Sequence, residues 1–361
     1  MSKTRKILII ILSAVFVFCL VNVGYGIYNR VSARNEYDDA KNKGNVPEIT
    51  LPDTTIAPPV TTAPSTDVSS PDTTISPETT AAPDIVIEPD DASKTLLLET
   101  DMLSLIKQNS DVVGWIMIPG SNISYPMVIG EDNEFYLYHT WAKRWNWAGA
   151  IYLDYRMSRS FSDFNTIIYG HNMEGGDMFA DLLKYRDQAY YNSHPYVYVV
   201  LPNSVRRYDI FSAYEADVEN GHTYSTGITS EETKRGYLDY CIGESDVECV
   251  TKPETKNGII TLSTCTHTGI YDYKTRWVVQ ATMAFELTRE DMGLEDIVIP
   301  ATTKKPETTK APETTPAPET TAAPETTAAP ETTPAPEETT AAPEETTAAP
   351  ETTRAPIIIE L

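Results

Sequence analysis

The chain has 361 residues, a formal net charge of −24, 26 prolines and only four cysteines. Such an acidic balance lacks the basic stripe that nucleic acid binding requires, and four cysteines are too few for a disulfide scaffold. A central section of ordinary globular composition, residues 91–290, holds all five tryptophans, and a section of that size can bury one sizeable core.

Lys3, Arg5 and Lys6 precede an uncharged run from Ile7 to Val23 that continues to Tyr28. The 22 residues from Ile7 to Tyr28 are enough to cross a bilayer as one helix. A cleaved signal peptide is the alternative, because Gly24 and Gly26 offer a small-x-small pattern. Basic residues do not choose the orientation, since Arg30, Arg34, Lys41 and Lys43 follow the run. An N-in, C-out anchor is expected from composition: Pro/Thr-rich stalks hold a surface domain away from a membrane. Cys19 lies inside the run and reads as an apolar membrane residue.

Residues 29–45 extend this helix briefly at most, being polar with no evident apolar face. From 46 to 83 the chain is Pro/Thr-rich, a composition that buries too little to offset its conformational entropy and predicts an extended linker. Residues 301–354 repeat the same chemistry as "APETTPAPETTAAPETT", with 11 Glu against four basic residues in 301–361. Its short period makes it low complexity and not a solenoid. The expected organisation is a cytoplasmic tail at 1–6, an anchor at 7–28, a linker at 29–90, a catalytic domain at 91–290 and a low-complexity tail at 291–361.

Within the central section an apolar stripe of Leu96, Leu97, Leu98, Met102, Leu103 and Ile106 predicts one helix over 93–109. Short β-branched and aromatic runs follow, punctuated by turn signals: "GWIMI", "YPMVI", "GAIYLDY" and "NTIIYG". A helix is expected over 178–185. "YVYVVL" and "RRYDIFSAYEA" come next, then a helix over 231–242, then "GIITLST" and "RWVVQATMAFEL". Many short strands with few helices predict a mainly β, α+β domain: a closed antiparallel or mixed barrel with peripheral helices.

Cys265 ends the apolar strand "GIITLSTC", and a thiol at a strand end is well placed to act as a nucleophile if a cation or base is near. Arg276 opens the next strand, so a hairpin through "THTGIYDYKT" returns its guanidinium to Cys265. A fixed positive charge there can stabilise a thiolate or an oxyanion. A base is also needed, and His139, His171, His194, His222 and His267 are all open on spacing alone. Cys241 and Cys249 read as small core residues, with a disulfide between them as the alternative. "DYR" at 154–156 reads as a structural ion pair. No C-x-x-C pair is present, so no structural zinc site is expected, and no cofactor is expected either.

"TLSTC" followed by an Arg at the next strand, together with "IIYGHNM", resembles the sortase family, class B. "DVVGWIMIPGSNISYPMVIGEDNEFYL", "GAIYLDYR" and "MFADLLKYRDQAYYNSHPYVYV" are similar to class B segments in the same order. The resemblance covers most of 91–290 and implies a sortase-type barrel and a cysteine transpeptidase. It implies Cys265 as nucleophile, His171 as general acid/base and Arg276 as holder of substrate and oxyanion. It further implies that Ser263 faces the substrate groove, with Asn133 and Leu137 at groove positions. Its implied partners are surface proteins bearing a Thr-containing C-terminal sorting signal, and an amine acceptor from a peptidoglycan precursor or a pilin Lys. It says nothing of the Pro/Thr repeats. A stalked adhesin without catalysis is the reading from another class.

Overall fold

The computed structural model describes residues 3–50, 88–219, 221–267 and 274–299. The Pro/Thr-rich stretches expected to be extended fall outside these, at 51–87 and from 300 onward.

Eight strands close into one mixed barrel: β1 (Val112–Met117), β2 (Ser124–Ile129), β3 (Ile151–Leu153), β4 (Asn165–Tyr169), β5 (Tyr196–Val200), β6 (Ser204–Asp217), β7 (Ile259–Cys265) and β8 (Thr275–Thr288). Their order around the barrel is β1-β2-β3-β4-β7-β8-β6-β5, closed by antiparallel pairing of β5 with β1. Two neighbours run parallel, β2 with β3 and β4 with β7. Every expected strand is present, within a few residues of its expected ends. Closure leaves no free edge to recruit another chain. All six residues of β1 are buried, because one face fills the barrel and the other is covered by helices and loops, which is why the run reads as continuously apolar.

Among the described residues there are five α-helices: α1 (Lys3–Lys43), α2 (Asp91–Glu99), α3 (Met102–Gln108), α4 (Gln188–Ser193) and α5 (Glu231–Glu244). The single helix expected over 93–109 is two. Thr100 is extended, and the Asp101 side chain accepts from the Ser104 N–H to start α3 afresh. A short polar side chain that satisfies orphan helix N–H groups favours a boundary over continuation. The expected helix over 178–185 is a 3₁₀ segment, Ala180–Arg186, entered through Met178 at φ +59°.

The stretch after the apolar run differs most from expectation. Residues 29–43 continue α1 without a break and pack on the barrel. Ala33, Tyr37 and Ala40 are buried, at spacings of four and three that make one helix face. Two alanines and a tyrosine form too small a stripe to stand out among the charges. Around them, the Tyr37 hydroxyl donates to the Gly149 carbonyl at 2.5 Å, and Arg34 pairs with Asp177 at 2.9 Å. Buried Glu36 accepts from the Thr140 hydroxyl and pairs with Arg144 at 2.7 Å. At the other end, the folded unit runs past 290: Asn203 exchanges two hydrogen bonds with the backbone of Ile297.

Candidate active site

The site lies where β4, β7 and β8 end on one rim. In the antiparallel β7–β8 pair, Cys265 and Arg276 are directly opposite. In the parallel β4–β7 pair, Tyr169 is level with Ser263, and the ladder continues with the Gly170 N–H donating to the Ser263 carbonyl at 3.1 Å. His171 follows directly after Gly170 and lies within electrostatic reach of Arg276. The side-chain amide of Asn172 then donates to the Cys265 carbonyl at 3.0 Å, tying the segment that carries His171 to the end of β7. Parallel strands reach the same rim with the same direction of travel, so one barrel edge holds all three residues.

His171 is half-buried, and its Nε2 lies 2.7 Å from the Leu137 carbonyl. A carbonyl oxygen only accepts, so Nε2 carries the hydrogen and Nδ1 keeps its lone pair in the neutral ring. Burial pushes the imidazole below its ordinary value; the Leu137 bond opposes this, and the charge of Arg276 adds to it. The ring is therefore neutral at neutral pH. Cys265 is partly exposed and is a free thiol. The Arg276 Nη1 donates to the Thr275 carbonyl at 2.9 Å, which helps fix the guanidinium at the rim.

Ser263 is buried, and its hydroxyl pairs with the Tyr224 hydroxyl at 2.9 Å. Leu137 meets the site through its backbone carbonyl. Asn133 is occupied elsewhere: its amide donates to Asp154 at 3.0 Å and its oxygen accepts from the Tyr155 N–H at 3.0 Å. Asp154 is buried and pairs with Arg156 at 2.7 Å, the structural ion pair expected from "DYR". Burial works against the charge of Asp154, but Arg156, its backbone N–H and Asn133 overcome it and hold the carboxyl below its ordinary value. Tyr169 also donates to this carboxylate, at 3.1 Å, so the end of β4 is anchored from beneath.

Three neighbours escaped the sequence reading. Tyr152 on β3 lies within electrostatic reach of Cys265 and Arg276, and burial, then Cys265, raises its phenol. Tyr224 comes from the loop after β6, and Tyr138 has its ring 6.4 Å from that of His171. Nothing distinguishes these three among 21 tyrosines. Asn172 was in view beside His171, but only the fold gives it a partner. Cys241 is buried and Cys249 partly so; both are free thiols, and burial pushes each up to about 11.

A family model described as a sortase domain matches residues 116–284. Sortase B of Listeria monocytogenes is 37% identical over 180 residues, covering 50% of this chain and 72% of that protein. The chain belongs to the sortase family, class B. Sortase B of Staphylococcus aureus is 30% identical over 164 residues, which is 45% of this chain and 66% of its own length. A crystal structure of the S. aureus sortase B matches with a TM-score of 0.47 and 29% identity, covering 50% of this chain and 84% of that one. Sortases are cysteine transpeptidases, and this chain is an enzyme of that kind.

Proposed function

We propose that this sortase is a membrane-anchored transpeptidase in which Cys265 is the nucleophile, His171 the general acid/base and Arg276 the group that holds substrate and oxyanion. The observation that supports this reading is the register that sets Cys265 opposite Arg276, with Asn172, next to His171, bonded to the Cys265 carbonyl and His171 within electrostatic reach of Arg276. One fixed cation, one thiol and one neutral imidazole then share a rim, which is the set that acyl transfer through sulfur needs.

The steps follow from the protonation state. Nδ1 of His171 takes the thiol proton, and the Cys265 sulfur attacks the carbonyl carbon that follows the Thr of a sorting signal. The carbonyl oxygen gains negative charge, which Arg276 offsets. The C–N bond breaks as His171 returns its proton to the departing amine, leaving a thioester. An incoming amine attacks the thioester carbon and gives a proton to His171. The C–S bond breaks, an amide forms, and the sulfur recovers a proton from His171. Leu137 takes no part in bond making; its carbonyl fixes the tautomer that leaves Nδ1 basic.

The substrates in this reading are surface proteins carrying a Thr-containing signal, and the acceptor is an amine of the cell wall. In this reading the apolar run of α1 crosses the membrane with the barrel outside; a helix long and apolar enough to cross supports the anchor. The test uses the full chain in detergent with a panel of quenched fluorescent signal peptides and an added amine. Cleavage with an amine-ligated product, both lost in Cys265→Ala, is the expected result. Cleavage that survives Cys265→Ala sinks the mechanism.

A further inference from the structure

The helix that enters the membrane does not leave it as a free tether. The apolar run of α1 ends at Tyr28, and the next residue, Asn29, accepts through its carbonyl a hydrogen bond from the Asn146 side chain at 3.0 Å. Asn146 belongs to the loop between the Phe135–Leu137 3₁₀ turn and β3. This loop is therefore level with the membrane exit. Its neighbours on either side are Trp145 and Trp147, 48% and 56% exposed, while Trp115, Trp141 and Trp277 are fully buried. Trp145 stacks on Tyr25, ring centroids 6.5 Å apart and planes 22° apart, and Trp147 meets Trp145 edge-on at 5.6 Å. Tyr25 lies inside the apolar run, one helical turn before Asn29.

Two half-exposed tryptophans on a water-facing loop are hard to account for. Indole rings gather at the membrane–water boundary, where the ring meets acyl chain and the N–H meets headgroups. The 22 residues from Ile7 to Tyr28 rise about 33 Å at 1.5 Å per residue, a little more than the roughly 30 Å hydrocarbon core. Tyr25 thus sits at the edge of the hydrocarbon, and the ring stacked on it sits there too. The cations of this face have acidic partners: Lys143 pairs with Asp111, Arg144 with Glu36, Arg34 with Asp177, and Arg30 with Glu174 at 3.8 Å. Aromatic insertion, and not attraction to anionic lipid, is what the face provides.

We infer that Trp145 and Trp147 seat the barrel on the outer face of the bilayer, as a second membrane contact beside α1. The loop is also the wall of the active site. The Asn146 N–H donates to the Tyr138 carbonyl at 2.9 Å, one residue from the Leu137 carbonyl that holds His171. Seating the loop sets the rim of the active site close to the lipid surface. The inference rests on α1 crossing the bilayer, and its test keeps the two apart.

All five tryptophans are in the barrel and none is in α1, so lipid quenching of tryptophan reads the barrel alone. The full chain is reconstituted into phosphatidylcholine vesicles, plain or brominated near the top of the acyl chains. Flotation with the vesicles reports the anchor. Brominated lipid should quench up to two-fifths of the emission, two tryptophans of five. In Trp145→Phe/Trp147→Phe, which keeps aromatic rings in both places and should melt like the parent, that quenching should vanish. A chain that floats but shows no lipid quenching, or equal quenching in the double variant, overturns the docking and leaves the anchor standing. So does aqueous iodide quenching that the bilayer does not diminish, which leaves the pair open to water or a protein partner. A chain that fails to float removes the anchor, and the docking with it.

Discussion

Replacing Asn172 with alanine tests whether the side-chain bridge to β7 holds the neighbouring His171 in place. The bridge is one hydrogen bond, 3.0 Å long and partly buried, from the Asn172 amide to the Cys265 carbonyl. Water can reach the freed carbonyl, so the expected loss of stability is about 1 kcal/mol. If the same bond fixes the distance between imidazole and thiol, its loss appears again in the transition state. A loss of about 1 kcal/mol there lowers kcat about fivefold, with KM nearly unchanged because no substrate contact is removed. Asn172→Asp should do worse, because a carboxylate cannot donate to the carbonyl and repels it. The assay is steady-state cleavage of whichever signal peptide the wild type accepts, normalised to titrated thiol, with melting followed in parallel. A normal kcat in Asn172→Ala alongside a lowered melting point would show that the bridge stabilises the rim without positioning His171, and would refute the reasoning.

Other consequences are equally direct. Burial depresses the His171 imidazole, so between its folded value and the ordinary 6.5 the unfolded chain binds more protons. Its contribution to stability is complete above that ordinary value and is lost as the pH falls toward the folded one; denaturant titrations across this window should show a slope that His171→Gln reduces. Tyr37→Ala removes a buried ring packed edge-on to Tyr125 at 5.2 Å and its bond to Gly149. About 3–4 kcal/mol of α1 docking is lost, visible as faster hydrogen exchange over 33–43 with the barrel strands still protected. Ser263→Ala strands the Tyr224 hydroxyl at the rim, which should lower the unfolding free energy by about 1–2 kcal/mol; Tyr224→Phe in the same background should restore most of it in chemical denaturation.

The barrel was legible because its strands announce themselves. "GIITLSTC" and "RWVVQATMAFEL" are apolar, β-branched and punctuated, and their hairpin pairing follows from proximity in the chain. Pairing of β4 with β7 was not legible, since nothing local records which distant strand a parallel one chooses. The resemblance to the sortases supplied His171 where spacing left five histidines open. What sequence could not give is the work of backbone groups and common residues. The Leu137 carbonyl has no side-chain signature, and Asn133 looks equally suited to a groove or to the Asp154 cluster it actually serves. The docked part of α1 was hidden because two alanines and a tyrosine suffice to bury it beneath a row of charges.

The parallel pairing of β4 and β7 has a bearing on how the enzyme is made. Asn172 and Cys265 are 93 positions apart in the chain, and β5, β6 and α5 all intervene. Contacts of such separation close late, because the loop between them must be ordered first. A chain made from its N-terminus has its histidine long before its thiol. Cys265 arrives with the last two strands, on the hairpin that also completes the barrel wall. A partly made chain therefore lacks both Cys265 and the strand that carries Arg276.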